Sequence, residues 1–175
     1  FMSSDPFDVL GIEASFPVDE GALRQAWLKA TARHHPDRAS DPDEAHRKLA
    51  QVNEAYRTLS EPERAAGALL TRLGGPGADR HKALPDGFLM EMLEVRDQLE
   101  EARRSRDPVD IARLEEWADQ QRAMWIERVT TLFASHGESD DRRDEIRESL
   151  NAWRYIERLI EQLDPDYSPA RADFG

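Results

Sequence analysis

Apolar residues recur along this chain at helical spacing and almost nowhere at strand spacing. Leu23, Ala26, Trp27, Ala30 and His34 advance by 3, 1, 3 and 4, which turns one face of a helix toward a core. Ala45, Leu49, Val52, Tyr56 and Leu59 advance by 4, 3, 4 and 3 and make a second such face. Asp5-Pro6 and Asp41-Pro42 each place a capping carboxylate ahead of a proline at the first helical position. The first of these helices is short and ends at Leu10-Gly11; Asp19 and Glu20 sit where a helix start favours negative charge. Pro36 is expected to stop the second helix, and a further piece runs from Pro62 to Leu73. No sustained alternation appears, and no Asn-Gly or Asp-Gly turn separates two alternating runs.

Beyond Gly74-Gly75-Pro76-Gly77, the clear breaker cluster of the chain, three more stripes follow. The first helix is predicted over about Asp86 to Ser105, with Leu84, Phe88, Met92, Val95, Leu99 and Ala102 inward. The second starts near Asp107-Pro108 and is expected to bury Ile111, Leu114, Ala118, Trp125, Val129 and Leu132, with Gln121 its one polar member. The third starts near Ser139-Asp140 and buries Ile146, Leu150, Trp153, Ile156, Ile160 and Leu163. Short connections between three stripes predict an antiparallel three-helix bundle. The expected domains are 3–73, a linker 74–84, the bundle 85–164 and a tail 165–175 that lacks periodicity and is expected to be poorly ordered.

Charge narrows the function classes. Among 175 residues, 24 are basic and 36 acidic, a formal charge of −12, so a phosphate backbone would be repelled and nucleic acid is not an expected partner. Residues 1–73 hold 9 basic and 12 acidic residues, and 74–175 hold 15 and 24, so most of the excess lies in the second part. No apolar run approaches the roughly 20 residues of a spanning helix. The start shows no basic region and apolar stretch of a signal peptide, and Phe1 before Met2 reads as an added residue. Cysteine is absent, which removes disulfides, thiolate metal sites and a cysteine nucleophile. A cytoplasmic location fits, and no metal or cofactor is expected.

The second and third helices form an antiparallel pair joined by His35-Pro36-Asp37-Arg38-Ala39-Ser40. Between Glu20 and Asp37 there is no acidic residue, while Arg24, Lys29 and Arg33 occur, with Arg38 following. These residues make either a solvated face or a positive strip aimed at an acidic partner. His35-Pro36-Asp37 reads equally as a helix stop with turn chemistry. Its context is more telling: a basic amphipathic helix before it, Gln51-Val52-Asn53-Glu54-Ala55-Tyr56-Arg57-Thr58-Leu59-Ser60 closing the next helix, and Asp5-Pro6-Phe7-Asp8-Val9-Leu10-Gly11-Ile12 near the start. Over residues 5 to about 72 these features together resemble a J-domain, the module that engages ATP-driven chaperones of the seventy-kilodalton heat-shock class. The resemblance implies that His35, Pro36 and Asp37 trigger ATP hydrolysis at the chaperone, and that Arg24, Lys29 and Arg38 meet its acidic surface. One commonly basic position is Leu28 here, which implies a weaker electrostatic contact.

On the first bundle helix Leu89, Met90 and Leu93 fall opposite the core stripe, in the company of Glu94, Asp97, Glu100 and Glu101. An apolar centre within an acidic rim fits a binding patch, and a contact with the rest of the protein fits the periodicity equally well. The run Gly87-Phe88-Leu89-Met90-Glu91-Met92-Leu93-Glu94-Val95-Arg96-Asp97-Gln98-Leu99-Glu100-Glu101 resembles the start of the C-terminal domain of HscB-type J-proteins, co-chaperones of iron–sulfur cluster assembly. The likeness extends over residues 5 to about 163. It implies that Leu89, Met90, Leu93, Glu94, Asp97 and Glu101, with Tyr155 of the last helix, hold the scaffold protein on which clusters are built. Asp97 stands where the family usually has Glu, and Tyr155 where it usually has Phe. Some eukaryotic members carry a cysteine zinc site that this chain lacks.

Rival functions have less support. Adjacent His34 and His35 diverge by about 100° on a helix, poor geometry for chelation. His46, His81 and His136 lie on separate elements, and neither a Ser/His/Asp arrangement nor a phosphate loop is present, so the chain is not expected to be an enzyme. A J-protein with a different client is the main alternative, and an intact His-Pro-Asp sequence argues against a merely structural adaptor. The expected molecule is an L-shaped, all-α, two-domain adaptor with a chaperone and a scaffold protein as partners, and no membrane or nucleic acid.

Overall fold

The computed structural model describes residues 5–35, 40–135 and 139–163. Among them are seven helices and no strand: α1 (Pro6–Leu10), α2 (Glu20–Arg33), α3 (Pro42–Ser60), α4 (Pro62–Arg72), α5 (Phe88–Ser105), α6 (Pro108–Ala134) and α7 (Asp140–Leu163). The chain divides into two compact units, the first ending at Arg72 and the second starting at Leu73.

In the first unit three carboxylates make the helix starts the sequence expects. Asp5 accepts from the Phe7 amide at 2.9 Å, Asp19 from Ala22 at 2.6 Å, and Asp41 from Asp43 and Glu44 at 3.0 and 3.1 Å. Each satisfies amides that a first helical turn leaves without partners. Helix α1 ends because Gly11 takes the left-handed conformation, φ 65°. Helix α2 ends at Arg33 with His34 as its cap, before Pro36, which lies outside the described residues along with Asp37, Arg38 and Ala39.

Helix α3 is the hub, packed on α1, α2 and α4. Phe7, Leu10, Leu23, Ala45, Val52, Ala55, Leu59, Ala65, Ala66, Leu69 and Leu70 are buried around it. The α2 face is shallower than its spacing suggests, since only Leu23 is fully buried and Ala26, Trp27, Ala30 and His34 are half-buried. Trp27 makes up part of the difference: its ring stacks on Tyr56 at 4.9 Å, and its Nε1–H donates to Asn53 Oδ1 at 2.9 Å. Ion pairs tie the ends of the unit. Arg72 reaches Asp5 at 2.6 Å and Asp8 at 2.8 Å, linking the end of α4 to α1 and raising the Arg72 guanidinium above its usual value. Arg57, hydrogen-bonded to Glu54, holds that carboxyl below the usual carboxylate range.

The second unit is a three-helix bundle in which α6 packs along α7 and α5 lies against both. Phe88, Met92, Val95, Leu99 and Ala102 of α5 are all buried, as are Leu114, Ala118, Trp125, Val129 and Leu132 of α6 and Ile146, Leu150, Trp153, Ile156 and Ile160 of α7. Two expectations need correction. Helix α5 begins at Phe88, not near Asp86, because Gly87 is left-handed (φ 78°) and turns the chain into the helix, so Leu84 lies ahead of it, half-buried. The polar member of the α6 stripe is Arg122, 8% exposed, while Gln121 and Ile111 are half-buried.

Arg122 is buried because it has a partner across the bundle. Its Nε–H donates to Glu157 Oε1 at 3.1 Å, and the same oxygen accepts from Trp153 Nε1–H at 2.8 Å. A second guanidinium nitrogen reaches Asp119 at 3.2 Å. Glu157 is 3% exposed, so the pair sits in the core, where only a hydrogen-bonded charge is tolerated. Residues leading into α5 are strapped onto α7: Asn151 Nδ2–H donates to the carbonyls of His81 and Ala83 at 3.0 and 2.9 Å, and Arg143 to that of Leu73 at 2.8 Å.

Candidate functional site

Two separate groups of residues are candidates, one in each unit. In the first, α2 displays Arg24, Lys29 and Arg33 on its exposed side, and His35 is exposed two residues beyond the helix. The Asp19 cap and the seating of Leu23 and Trp27 on α3 fix the rotation of α2, and so which side carries the cations. Pro36, Asp37 and Arg38 complete this group in sequence and lie outside the described residues.

In the second unit the first turns of α5 carry Leu89, Met90 and Leu93 with 56, 71 and 57% of their surface exposed. Neither α6 nor α7 covers them. Their exposure follows from the burial of Phe88, Met92 and Val95, which fixes the helix's other face inward. Glu94, Asp97 and Glu101 are exposed one to three turns further along. Glu101 already pairs with Arg104, so Glu94 and Asp97 are the more available carboxylates of this rim.

Tyr155 of α7 packs on the start of α5. Its ring meets the edge of Phe88 at 5.7 Å, with planes at 89°, and Phe88 meets Trp125 in the same edge-on manner at 6.0 Å. The three rings form a chain running from the bundle core outward, with the half-buried Tyr155 at one end. Rotation angles alone left Tyr155 free to flank the patch; in the structure it packs on Phe88, at the start of the same helix.

The Arg122–Glu157–Trp153 cluster was missed from sequence as a polar element of the core. The signal was present: Arg122 lies four residues after Ala118 and three before Trp125, as good a fit to the stripe as Gln121. Among the described residues no group of three or more His, Asp or Glu side chains is arranged to hold a metal ion, and no helix is long and apolar enough to cross a membrane.

Comparison with known proteins follows the same division. A DnaJ domain matches residues 5–66, and the HSCB C-terminal oligomerisation domain matches residues 84–164. The co-chaperone protein HscB homolog of Bordetella parapertussis is 32% identical over 167 residues, which is 92% of this chain and 95% of that one. Its counterpart in Burkholderia multivorans is 34% identical over 165 residues, 90% of each. Of solved structures, chaperone HscB from Vibrio cholerae aligns with a TM-score of 0.66 at 25% identity, over 91% of this chain and 99% of that one. Human co-chaperone protein HscB shares the fold with a TM-score of 0.79 at 23% identity, over 94 and 83%. With both domains matched in order and relatives alike over nine-tenths of their length, the chain belongs to the HscB family of J-domain co-chaperones.

Proposed function

We propose that the chain delivers an iron–sulfur cluster scaffold protein to a chaperone of the seventy-kilodalton heat-shock class and stimulates that chaperone's ATPase. The co-chaperone role itself follows from family membership; the division of labour among residues is the proposal. His35, Pro36 and Asp37 form the trigger that accelerates ATP hydrolysis. Arg24, Lys29 and Arg38 meet the chaperone's acidic surface, and the Asp37 carboxylate accepts from a guanidinium of the partner. Leu89, Met90 and Leu93 form the apolar centre of the scaffold site, with Glu94, Asp97, Glu101 and Tyr155 around it. The chain performs no covalent chemistry: hydrolysis belongs to the chaperone, and cluster chemistry to the scaffold. Both partners are met in the cytoplasm.

The observation that carries this reading is the exposed Leu89–Met90–Leu93 patch, on a helix whose other face is fully used by the bundle, in the same chain as a helix that shows exposed cations and is followed by an exposed His35. Holding both partners on one molecule turns a bimolecular encounter into a local one, and the gain is an effective concentration. Titrating scaffold and chaperone together against ATP hydrolysis tests it. The expected result is stimulation by the co-chaperone alone and a further rise when scaffold is added. A rise with the co-chaperone but none with scaffold would assign the second unit to a different client.

A further inference from the structure

The exposed side of α2 is not uniformly polar. Leu28 has 51% of its surface open. At about 100° per residue, Arg24 and Ala32 lie about 40° to either side of it and Lys29 about 100° away, all of them exposed. Gly21 and Ala32, on nearly the same line along the helix, have little or no side chain, so Leu28 stands as an apolar knob above its neighbours and between two cations. A scattered exposed leucine is ordinary on a protein surface. This one lies on the helix that carries Arg24 and Lys29, and roughly 9 Å along the axis from His34 at 1.5 Å per residue, hence close to His35.

We propose that Leu28 selects the partner chaperone by seating in an apolar socket ringed by carboxylates on the chaperone's surface. The inference rests on the reading of α2 as the chaperone-facing helix. Charge at the rim of an interface steers approach and sets register, while the desolvated centre resists dissociation. Arg24 and Lys29 supply the rim; Leu28 is the only large apolar side chain on that side of α2 able to supply the centre. A chaperone that expects a cation at this position leaves a carboxylate unpaired against Leu28 and is rejected; one with a socket gains buried apolar area. Two chaperones of similar charge are thereby told apart.

The test uses the full chain with Leu28→Ala, Leu28→Arg and Leu28→Met, titrated against the purified heat-shock-class chaperone that the unaltered chain stimulates most, reading ATP hydrolysis beside a thermal melt. Leu28 contributes little to the core, so all three melts stay unchanged. Leu28→Ala is expected to raise the half-saturating concentration by about tenfold, the order expected for losing a buried leucine beyond its Cβ, with the rate at saturation preserved. Leu28→Met retains binding, and Leu28→Arg binds more weakly than the unaltered chain despite its added charge. Unchanged half-saturation with Leu28→Ala, or tighter binding with Leu28→Arg, overturns the socket and leaves α2 a purely electrostatic face, with the proposed function intact. An unaltered chain that stimulates no chaperone of this class overturns the underlying reading instead.

Discussion

His35 and Arg122 show how differently a polar residue behaves at the surface and in the core. His35 is exposed beyond the end of α2, so changing it leaves packing alone. Replacing His35 by Gln, or Asp37 by Asn, is therefore expected to abolish stimulation of chaperone ATPase while circular dichroism and thermal stability stay as they are; full stimulation by either variant would refute the trigger role. Arg122 is the opposite case. Glu157→Ala removes the buried partner of the Arg122 guanidinium and is expected to cost about 3–5 kcal/mol in a denaturant melt, while replacing Arg122 and Glu157 together by Met and Leu is expected to cost less, the remainder being the acceptor lost to the Trp153 Nε1–H. A double-variant cost equal to the sum of the costs of Arg122→Met and Glu157→Leu measured singly would show that the pair is not coupled. These two residues also mark what sequence could and could not disclose. The His-Pro-Asp sequence is a local string, legible at once. The core position of Arg122 depends on Glu157, 35 residues away, and only their meeting makes burial tolerable. Lacking that partner, the choice between Gln121 and Arg122 favours the residue that is cheaper to bury.

At the scale of the helix, most of the fold was legible because the starts are chemically marked. Asp5-Pro6, Asp41-Pro42 and Asp107-Pro108 each proved to be an N-cap followed by proline at the first turn. Helix α5 has no such mark: its cap is Gly87, which makes no side-chain hydrogen bond, and its start was set two residues early. The stripe of α2 faces inward as expected but is only shallowly covered, since periodicity gives the direction of a face and not the thickness of what covers it. For α5 the periodicity was enough to separate two faces, and a variant tests the exposed one. Leu89, Met90 and Leu93 changed together to Ala keep helix propensity and leave the core untouched. The melt should shift little, because surface changes usually cost within about 0.5 kcal/mol, whereas truncating a buried Leu costs roughly 2–5 kcal/mol. Scaffold binding should fall sharply, and basal stimulation of the chaperone should survive. An intact melt with undiminished scaffold binding would remove the patch as the site.

At the scale of the whole molecule, a protein that joins two partners has an optimum concentration. Below it, too few bridges exist; above it, one copy occupies each partner and the two are held apart. The amount of scaffold crosslinked to chaperone is therefore expected to rise and then fall as the co-chaperone is added in excess, while basal ATPase stimulation rises to a plateau. A crosslinked yield that only saturates would mean that the partners meet without being bridged. Most of the excess negative charge lies in residues 74–175, which favours a scaffold with a basic surface and a salt-sensitive contact there. The placement of the indole rings has an optical consequence. Of four tryptophans, Trp27 alone lies in the first unit, while Trp117, Trp125 and Trp153 lie in the second. Trp125 and Trp153 are buried, which is expected to shift their emission toward the blue; Trp27 is half-buried, stacked on Tyr56 and adjacent in sequence to Leu28. With the other three changed to Phe, the remaining tryptophan fluorescence would come from the α2–α3 pair alone, so that unit already carries its own label.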